Sequence, residues 1–205
     1  MTSPINQDAA PEPGHAGVSQ VTAAMREQRH GHPGLVVWLT GLSGAGKTTI
    51  ATGLERRLFE AGFNACLLDG DLLRRGLCSD LGFSAADRRE NIRRAGELAT
   101  LFAAAGAVVI CAFISPYRGD RDRIRRSLEP GRFIEVYVNA PLEICEQRDV
   151  KGHYARARAG LLKDFTGVSA PYEPPLAAEM EIGTDLLSIN ESTGVLFQLL
   201  LEARR

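Results

Sequence analysis

Several features that would assign the chain to a specialised class of protein are missing from its 205 residues. No run approaches the roughly 20 apolar residues of a membrane-spanning helix, and the first residues lack the order of a signal peptide. The four cysteines form no CxxC pair and share no ligand spacing with the four histidines, which argues against a structural zinc and fits reduced thiols. The net charge of −1 gives no overall attraction to nucleic acid or to an anionic membrane. We therefore expect a soluble cytoplasmic protein without a nucleic-acid or membrane partner.

The length and a hydrophobic content of 44% predict one globular domain preceded by a tail. Residues 1–33 contain scattered Pro, Gly, Gln, Ser and His without a sustained apolar period. This composition predicts a disordered N-terminal extension, in which only residues 21–29 have the pattern of a helical turn or two. The domain itself is expected over residues 34–205.

Strand-like apolar runs alternate with amphipathic segments from residue 35 onward. The first run, LVVWLT, has the composition of a strand that is buried on both faces. The alternation predicts an α/β fold of three layers, with a parallel sheet and helices on both of its faces. Residues 151–170 lack a stable apolar stripe, so we expect a mobile lid over about residues 148–170. Ligands bind such sheets at the carboxyl ends of the strands. The expected strands are 35–40, 64–68, 107–113, 133–138 and 180–183.

The segment GLSGAGKT matches the P-loop pattern GxxxxGK[ST] and lies between a predicted buried strand and a predicted amphipathic helix. In such a loop, backbone N–H groups converge on phosphate oxygens at the N-terminus of a helix. Lys47 can neutralise the terminal phosphates of ATP as a catalytic residue, and Thr48 can ligate magnesium (Mg2+). No NKxD base-reading loop follows, which disfavours a GTPase. The expected ATP-binding residues are Gly41, Leu42, Ser43, Gly44, Ala45, Gly46, Lys47, Thr48 and Thr49.

An acidic turn, Asp69-Gly-Asp71, follows the second predicted strand. A carboxylate at this edge of the sheet can accept the proton of an attacking hydroxyl or hold the water shell of magnesium. Asp71 is the candidate catalytic base. An ordinary Asp-Gly turn is the alternative that this string alone leaves open.

Basic and amide side chains cluster after this turn, at Arg74, Arg88, Asn91 and Arg94. Arginine forks match sulfate or phosphate oxygens with two parallel donors, so the cluster predicts an anion pocket. A solvated surface is the alternative for each of these arginines, and it is the interpretation we adopt for Arg121, Arg125 and Arg126.

Two aromatic residues and one serine complete the candidate site. Phe83 and Phe165 lie outside the regular apolar stripes, where two rings could sandwich a flat base, although local packing is the alternative for each. Ser115 follows the third strand on the P-loop edge. Its hydroxyl could bind substrate oxygen or become phosphorylated, or it could be an inert turn hydroxyl.

Six segments together resemble the adenylyl-sulfate kinase family of P-loop NTPases in order and spacing, from about residue 35 to the C-terminus. They are GLSGAGKTT, DGDLLRRGL, DLGFSAADRRENIRR, FISPYRGDR, CEQRDVKGHYARARAG and FTGVSAPYEPP. The resemblance implies transfer of the ATP γ-phosphate to the 3'-hydroxyl of adenylyl sulfate (APS). It further implies a homodimer and a functional link to ATP sulfurylase. His153 and Cys78 depart from the family pattern, which usually has Leu and Asn there.

The resemblance also assigns roles to individual residues. Arg148 would lie near the ATP base, and Asp71 would face the acceptor hydroxyl. Ser115 matches a family serine that is often described as a phosphoserine intermediate, whereas direct in-line transfer needs no such step. The residues expected to hold the acceptor are Asp71, Arg74, Phe83, Arg88, Asn91, Ile114, Ser115, Lys151 and Phe165.

Two other functions remain open from the sequence. A kinase of another small metabolite, such as a nucleoside or a sugar acid, would share the fold and the P-loop. A non-catalytic nucleotide-binding module would regulate a partner enzyme, although Lys47, Thr48, Asp71 and Ser115 argue against that function.

Overall fold

A computed structural model describes residues 20–202 as a five-stranded parallel sheet between two layers of helices, which confirms the expected fold class. The strands are β1 (Leu35–Thr40), β2 (Ala65–Asp69), β3 (Val108–Ala112), β4 (Phe133–Asn139) and β5 (Met180–Gly183). The helices are α1 (Ala23–His30), α2 (Lys47–Glu60), α3 (Gly70–Arg74), α4 (Ala85–Ala104), α5 (Arg118–Arg126), α6 (Leu142–Arg148), α7 (His153–Arg158) and α8 (Ile189–Glu202).

The strand order β2-β3-β1-β4-β5 puts β1 at the centre of the sheet. Val37 of β1 pairs with Ile110 of β3 on one side and with Ile134 of β4 on the other, both in parallel. All six residues of β1 are buried, as its continuous apolar run predicts. Because the strands are parallel, the loops after β1, β2 and β3 leave from the same edge of the sheet.

Alternate residues of β1 enter two separate cores. Val37 and Leu39 pack with Leu54 of α2 and Leu196 of α8 on one face. Trp38 faces the other side and stacks on Phe113 with ring centroids 5.1 Å apart. The central strand is therefore held by a helical layer on each face, and its carboxyl end has little freedom to move.

The starts of α4 and α8 follow the capping pattern of the sequence. The Ser84 hydroxyl accepts the N–H of Asp87 at 3.1 Å, and the Ser188 hydroxyl accepts the N–H of Glu191 at 3.3 Å. These bonds satisfy backbone donors that the first helical turn leaves unpaired. No helix within residues 20–202 is long and apolar enough to cross a membrane.

The end of the expected N-terminal extension is structured. Helix α1 lies within it, and Glu27 forms an ion pair with Arg132. The ring of His32 is buried and accepts the N–H of Asn64 at 3.0 Å through Nε2. Residues 20–33 thus contact the loops before β2 and β4, and α1 lies where the sequence indicates a helical turn or two. Disorder of the N-terminal extension stays a prediction. Residues 1–19 lie outside the described residues.

The expected lid, residues 148–170, contains helix α7 and buried apolar side chains. Tyr154 is 2% exposed and Phe165 is 7% exposed, and both belong to the core on the α2 face. The Tyr154 hydroxyl donates to the carbonyl of Ser43 at 2.9 Å. The stretch has no regular apolar stripe in its sequence, yet two aromatic rings anchor it to the core. Its mobility stays a prediction.

The contact between α4 and α5 leaves no space for a side chain at Gly96. A Cβ there would lie 2.5 Å from Cγ1 of Ile124. We expect Gly96→Ala to lower the free energy of unfolding by about 1–3 kcal/mol, because overpacking outweighs the gain in helix propensity. Urea unfolding measures this change.

Gly119→Ala is the matched control, since a Cβ at this exposed position of α5 meets nothing within 4 Å. That change should be neutral or should stabilise by up to about 1 kcal/mol. Equal effects at the two glycines would contradict the packing argument.

Candidate active site

Residues 41–46 form the loop that joins β1 to α2. A Cβ at Gly41 would lie 2.2 Å from the carbonyl oxygen of Val138, so only glycine fits there. Gly46 has φ 96° and caps α2, a conformation that disfavours other residues. The loop thus leads into the N-terminus of a 14-residue helix, an arrangement that suits phosphate groups.

Lys47 and Thr48 occupy the first turn of α2. Lys47 is buried, and its Nζ donates to the carbonyl of Leu42 at 2.7 Å. Burial lowers the pKa of Lys47 to about 8. The Thr48 hydroxyl donates to Oδ2 of Asp69 at 2.8 Å, and Oδ1 of Asp69 accepts the N–H of Asp71 at 2.8 Å. Asp69 therefore links the phosphate loop to the acidic turn after β2.

Asp71, the candidate base, lies in the first turn of α3. Its carboxylate forms an ion pair with Lys151 at the start of the lid. Both side chains are more than half exposed, so an incoming ligand can reach each of them. The structure thus brings together three residues from separate segments: Asp71, Lys151 and, through Asp69, Thr48.

Some side chains of the basic cluster already have partners within the protein. Arg74 donates to the carbonyl of Gly82 at 3.0 Å, and its guanidinium lies 4.3 Å from the ring centroid of Phe83. Arg88 donates to the Thr166 hydroxyl at 2.6 Å and so connects α4 to the lid. Asn91 is buried, and its Oδ1 has no hydrogen-bond partner among residues 20–202. A buried acceptor without a partner is costly, and a ligand donor would satisfy it.

Ser115 follows β3 in a left-handed conformation, with φ 39°. It is 1% exposed, and its hydroxyl accepts the indole N–H of Trp38 at 3.0 Å. The same hydroxyl donates to that of Thr40 at 2.9 Å, and Thr40 in turn donates to the carbonyl of Ile114 at 2.8 Å. Ser115 therefore joins the ends of β1 and β3 at the edge where the P-loop begins.

Comparisons with known proteins identify the family. Residues 33–183 match the family model described as adenylylsulphate kinase. An adenylyl-sulfate kinase of Escherichia coli O6:K15:H31 (strain 536 / UPEC) is 56% identical over 170 residues, which cover 83% of this chain and 85% of that protein. The chain belongs to the adenylyl-sulfate kinase family. It is therefore an enzyme, a kinase with the P-loop fold.

Two solved structures of APS kinases extend the likeness to three dimensions. That of the Mycobacterium tuberculosis APS kinase CysC in complex with AMPPNP and APS has a TM-score of 0.78 and 44% identity, covering 83% of this chain and 99% of that one. The hexameric APS kinase from Thiobacillus denitrificans has a TM-score of 0.64 and 34% identity, covering 88% of this chain and 32% of that one.

Three arginines of the chain have carboxylate partners that the sequence does not suggest. Arg94 is not free to serve an anion pocket, because its guanidinium is bonded to Asp80 and Glu90. The interpretation of Arg121 as a solvated surface residue is wrong, since it is 1% exposed and paired with Glu135. Arg125 is also paired, with Glu179 and Glu135.

The two candidate base-binding rings differ in exposure. Phe83 is 57% exposed, directly before α4. Phe165 is packed edge-on against Tyr154, with ring centroids 4.9 Å apart, and against His153. A sandwich of the two rings around a base is thus not preformed in this structure, and it stays a prediction.

Thr184, directly after β5, escaped the sequence analysis. Its hydroxyl donates to the carbonyl of Ala45 at 2.8 Å, and Arg148 donates to it at 3.1 Å and to the carbonyl of Gly44 at 3.3 Å. Thr184 therefore positions both the P-loop and the arginine expected near the ATP base. Its place at the carboxyl end of a predicted strand is the one signal that could have identified it.

The oxygen donors near the P-loop fit magnesium. Magnesium prefers oxygen ligands, and in kinases it needs only one or two protein groups besides phosphates and water. The Thr48 hydroxyl could be such a ligand, with Asp69 orienting it. Within residues 20–202 no group of three His, Cys, Asp or Glu side chains could hold a metal without phosphates.

The pKa of Lys47 yields a test of nucleotide binding. At about pH 8.5, most Lys47 side chains are neutral, and a bound polyphosphate favours the charged form. ATP binding should therefore take up roughly half to one proton at this pH and almost none through Lys47 at pH 7. Titration calorimetry in buffers of different ionisation enthalpy measures the uptake.

Lys47→Arg is the control for this measurement, since arginine stays charged at both pH values. The uptake at about pH 8.5 should disappear in this variant. Equal uptake by the variant and the wild type would assign the proton to another group.

Proposed function

We propose that the chain transfers the γ-phosphate of ATP to the 3'-hydroxyl of adenylyl sulfate, giving 3'-phosphoadenylyl sulfate and ADP. One observation carries the proposal: Asp69 connects the phosphate loop, through Thr48, to the turn that bears Asp71. A phosphate donor and a proton acceptor are thereby held at the same edge of the sheet, as phosphoryl transfer requires. Membership of the family supplies the identity of the acceptor.

The donor half of the proposed site is the P-loop. Backbone N–H groups of residues 41–49 bind the phosphates, and charged Lys47 neutralises the oxygens of the transferred group. Arg148, held by Thr184, flanks the nucleotide base. Magnesium, with Thr48 as its protein ligand, would draw charge from the phosphate oxygens when it is bound.

The acceptor half lies between α3, α4 and the start of the lid. Arg74, Arg88 and Lys151 supply positive charge for the phosphosulfate group, in a protein whose net charge is only −1. Asn91 presents the unpaired buried oxygen described above, which suits a donor group of the ligand. Phe83, Phe165 and the Ile114 backbone complete the expected acceptor site.

Asp71 is proposed as the general base. It accepts the proton of the 3'-hydroxyl as the bond from that oxygen to the γ-phosphorus forms and the bond from the γ-phosphorus to the bridging oxygen of ADP breaks. Lys151 is paired with Asp71 in the structure, and it would shift to the negative acceptor. This exchange would free the base only when the acceptor is present.

We favour direct transfer over a phosphoserine at Ser115. The Ser115 hydroxyl is buried and already engaged by Trp38 and Thr40, so an attack on phosphorus would break both bonds. A role in shaping the acceptor site fits this environment better.

Assembly and context are part of the same proposal. A homodimer fits the exposed apolar residues Leu101 and Phe102 on α4, which are 68% and 41% exposed. A cytoplasmic ATP sulfurylase is the expected source of adenylyl sulfate, as the family resemblance implies.

Release of ADP by the purified enzyme with ATP and magnesium tests the proposed acceptor. Adenylyl sulfate should stimulate release strongly, whereas guanosine, gluconate and shikimate should not. Stimulation by one of those three would favour another metabolite kinase. Binding of adenylyl sulfate without ADP release would favour a regulatory module.

Asp71→Asn tests the base. We expect turnover to fall by about 100-fold or more while ATP affinity is retained, because asparagine cannot take the hydroxyl proton. Single-turnover rapid quench with γ-labelled ATP measures the step, and labelled protein should not accumulate if transfer is direct.

Asp122→Asn, at an exposed position of α5, is the matched control and should leave turnover unchanged. Near-normal turnover of Asp71→Asn would remove the proposed base, and labelled wild-type enzyme that passes its label to the acceptor would restore the phosphoserine route.

A further inference from the structure

Arg121 is the buried centre of a contact between three segments: β4, the turn that bears Ser115, and the segment that follows the lid. Ser115 is a residue of the expected acceptor site. Its Nε donates to Oε1 of Glu135 in β4 at 2.6 Å. Its Nη1 donates to the carbonyl of Ser115 at 2.6 Å, and its Nη2 donates to the carbonyl of Glu173 at 2.8 Å. The planar guanidinium therefore uses each of its nitrogens on a different segment, which a lysine ammonium cannot reproduce with the same geometry.

The first of the two carbonyls belongs to a strained turn. Ser115 is not glycine, yet it has φ 39°, a left-handed conformation that L-residues rarely adopt. Its side chain is held by Trp38 and Thr40. Its carbonyl accepts from Arg121 at 2.6 Å and, at the longer distance of 3.5 Å, from the Thr40 hydroxyl, so Arg121 is the main donor that orients it. Without the Arg121 donor, the peptide bond after Ser115 would be held less firmly in this orientation.

The second carbonyl belongs to the segment that follows the lid, residues 171–175, here called the exit segment. The Tyr172 hydroxyl lies 3.0 Å from that of Thr40. The N–H of Glu173 donates to the carbonyl of Pro116 at 2.8 Å, and its carboxylate accepts the N–H of Arg118 at 2.8 Å. The exit segment is thus joined to the Ser115 turn along its length, and Arg121 donates to both.

The charge of Arg121 is balanced inside the fold. Its partner Glu135 is 5% exposed and also accepts from Arg125 at 3.3 Å. The N–H of Glu135 donates to Glu179 at 2.6 Å, and Glu179 accepts from Arg125 at 2.9 Å. Replacing both partners of a buried ion pair by apolar residues often preserves stability. Apolar residues at these positions could not, however, donate hydrogen bonds to the carbonyls of Ser115 and Glu173.

We infer that Arg121 is a positioning residue that holds the Ser115 turn and the exit segment in one geometry, so that binding of the acceptor depends on it and binding of ATP does not. The inference rests on the proposed function only in naming the acceptor, since the turn and the exit segment lie together whichever acceptor is used. Within residues 20–202, no hydrogen bond or ion pair joins the Arg121 guanidinium to an expected ATP-binding residue of the P-loop.

Arg121→Lys tests the inference, because lysine keeps the positive charge beside Glu135 but cannot reproduce all three hydrogen bonds of the guanidinium. We expect the KM for adenylyl sulfate to rise by about 10- to 100-fold, as for the loss of one or two charged hydrogen bonds. The Kd of ATP, measured separately by calorimetry, should stay within about 2-fold of the wild type.

Arg121→Met combined with Glu135→Leu separates positioning from stability. The pair should recover most of the unfolding free energy that Arg121→Met alone loses, yet the raised KM for adenylyl sulfate should persist. Recovery of both the unfolding free energy and the wild-type KM for adenylyl sulfate would overturn the inference, because Arg121 would then act through stability alone. Arg126→Met, at an exposed position on the same helix, should change neither.

Wild-type kinetics in Arg121→Lys, or an equal loss of ATP and acceptor affinity, would also overturn the inference. A wild-type enzyme that uses a different acceptor would refute the proposed function instead. In that case the KM of Arg121→Lys for the true acceptor still decides the role of Arg121.

Discussion

Parallel pairing of β1 with β3 and β4 is the constraint on which the rest of the site depends. Every residue of β1 is buried, with alternate side chains in two cores, so the strand cannot shift along its neighbours without exposing one of them. The P-loop therefore begins at a fixed point, and the loops after β2 and β3 begin beside it. Asp69 and Ser115 reach the same edge of the sheet for this reason.

Polar contacts then link the loops that the sheet has brought together. Asp69 joins the P-loop to the acidic turn, Thr184 joins it to Arg148, and Tyr154 joins it to the lid. Arg121 does the same on the acceptor side. Each of these residues touches backbone or side chains from a segment far away in sequence. The site is consequently a set of loops whose relative positions depend on these contacts.

Local patterns predicted most of the fold and the core of the donor site. Buried strands have continuous apolar runs, helix starts have capping serines, and the P-loop has a glycine pattern that few other structures need. The acidic turn and the serine after β3 were also found, because strand ends are identifiable in the sequence. What failed was the environment of single charged and aromatic residues. The sequence suggests a surface position for Arg121 and an anion pocket that includes Arg94, whereas both side chains have carboxylate partners in the structure. The burial of Phe165 is also invisible in the sequence, because the lid has no apolar stripe.

The sequence by itself determined the succession of strands and helices along the chain, the phosphate loop and the family to which the chain belongs. Each of these depends on residues that are close together in the chain or on the order of the motifs. Only the tertiary structure decided which side chains are free. Glu135 lies 14 residues after Arg121, and Glu173 lies 52 residues after it. Burial of Phe165 against Tyr154 likewise depends on how the lid folds back. An isolated arginine or phenylalanine has no local pattern that reveals such a partner, because the energy of the contact arises only when distant segments meet.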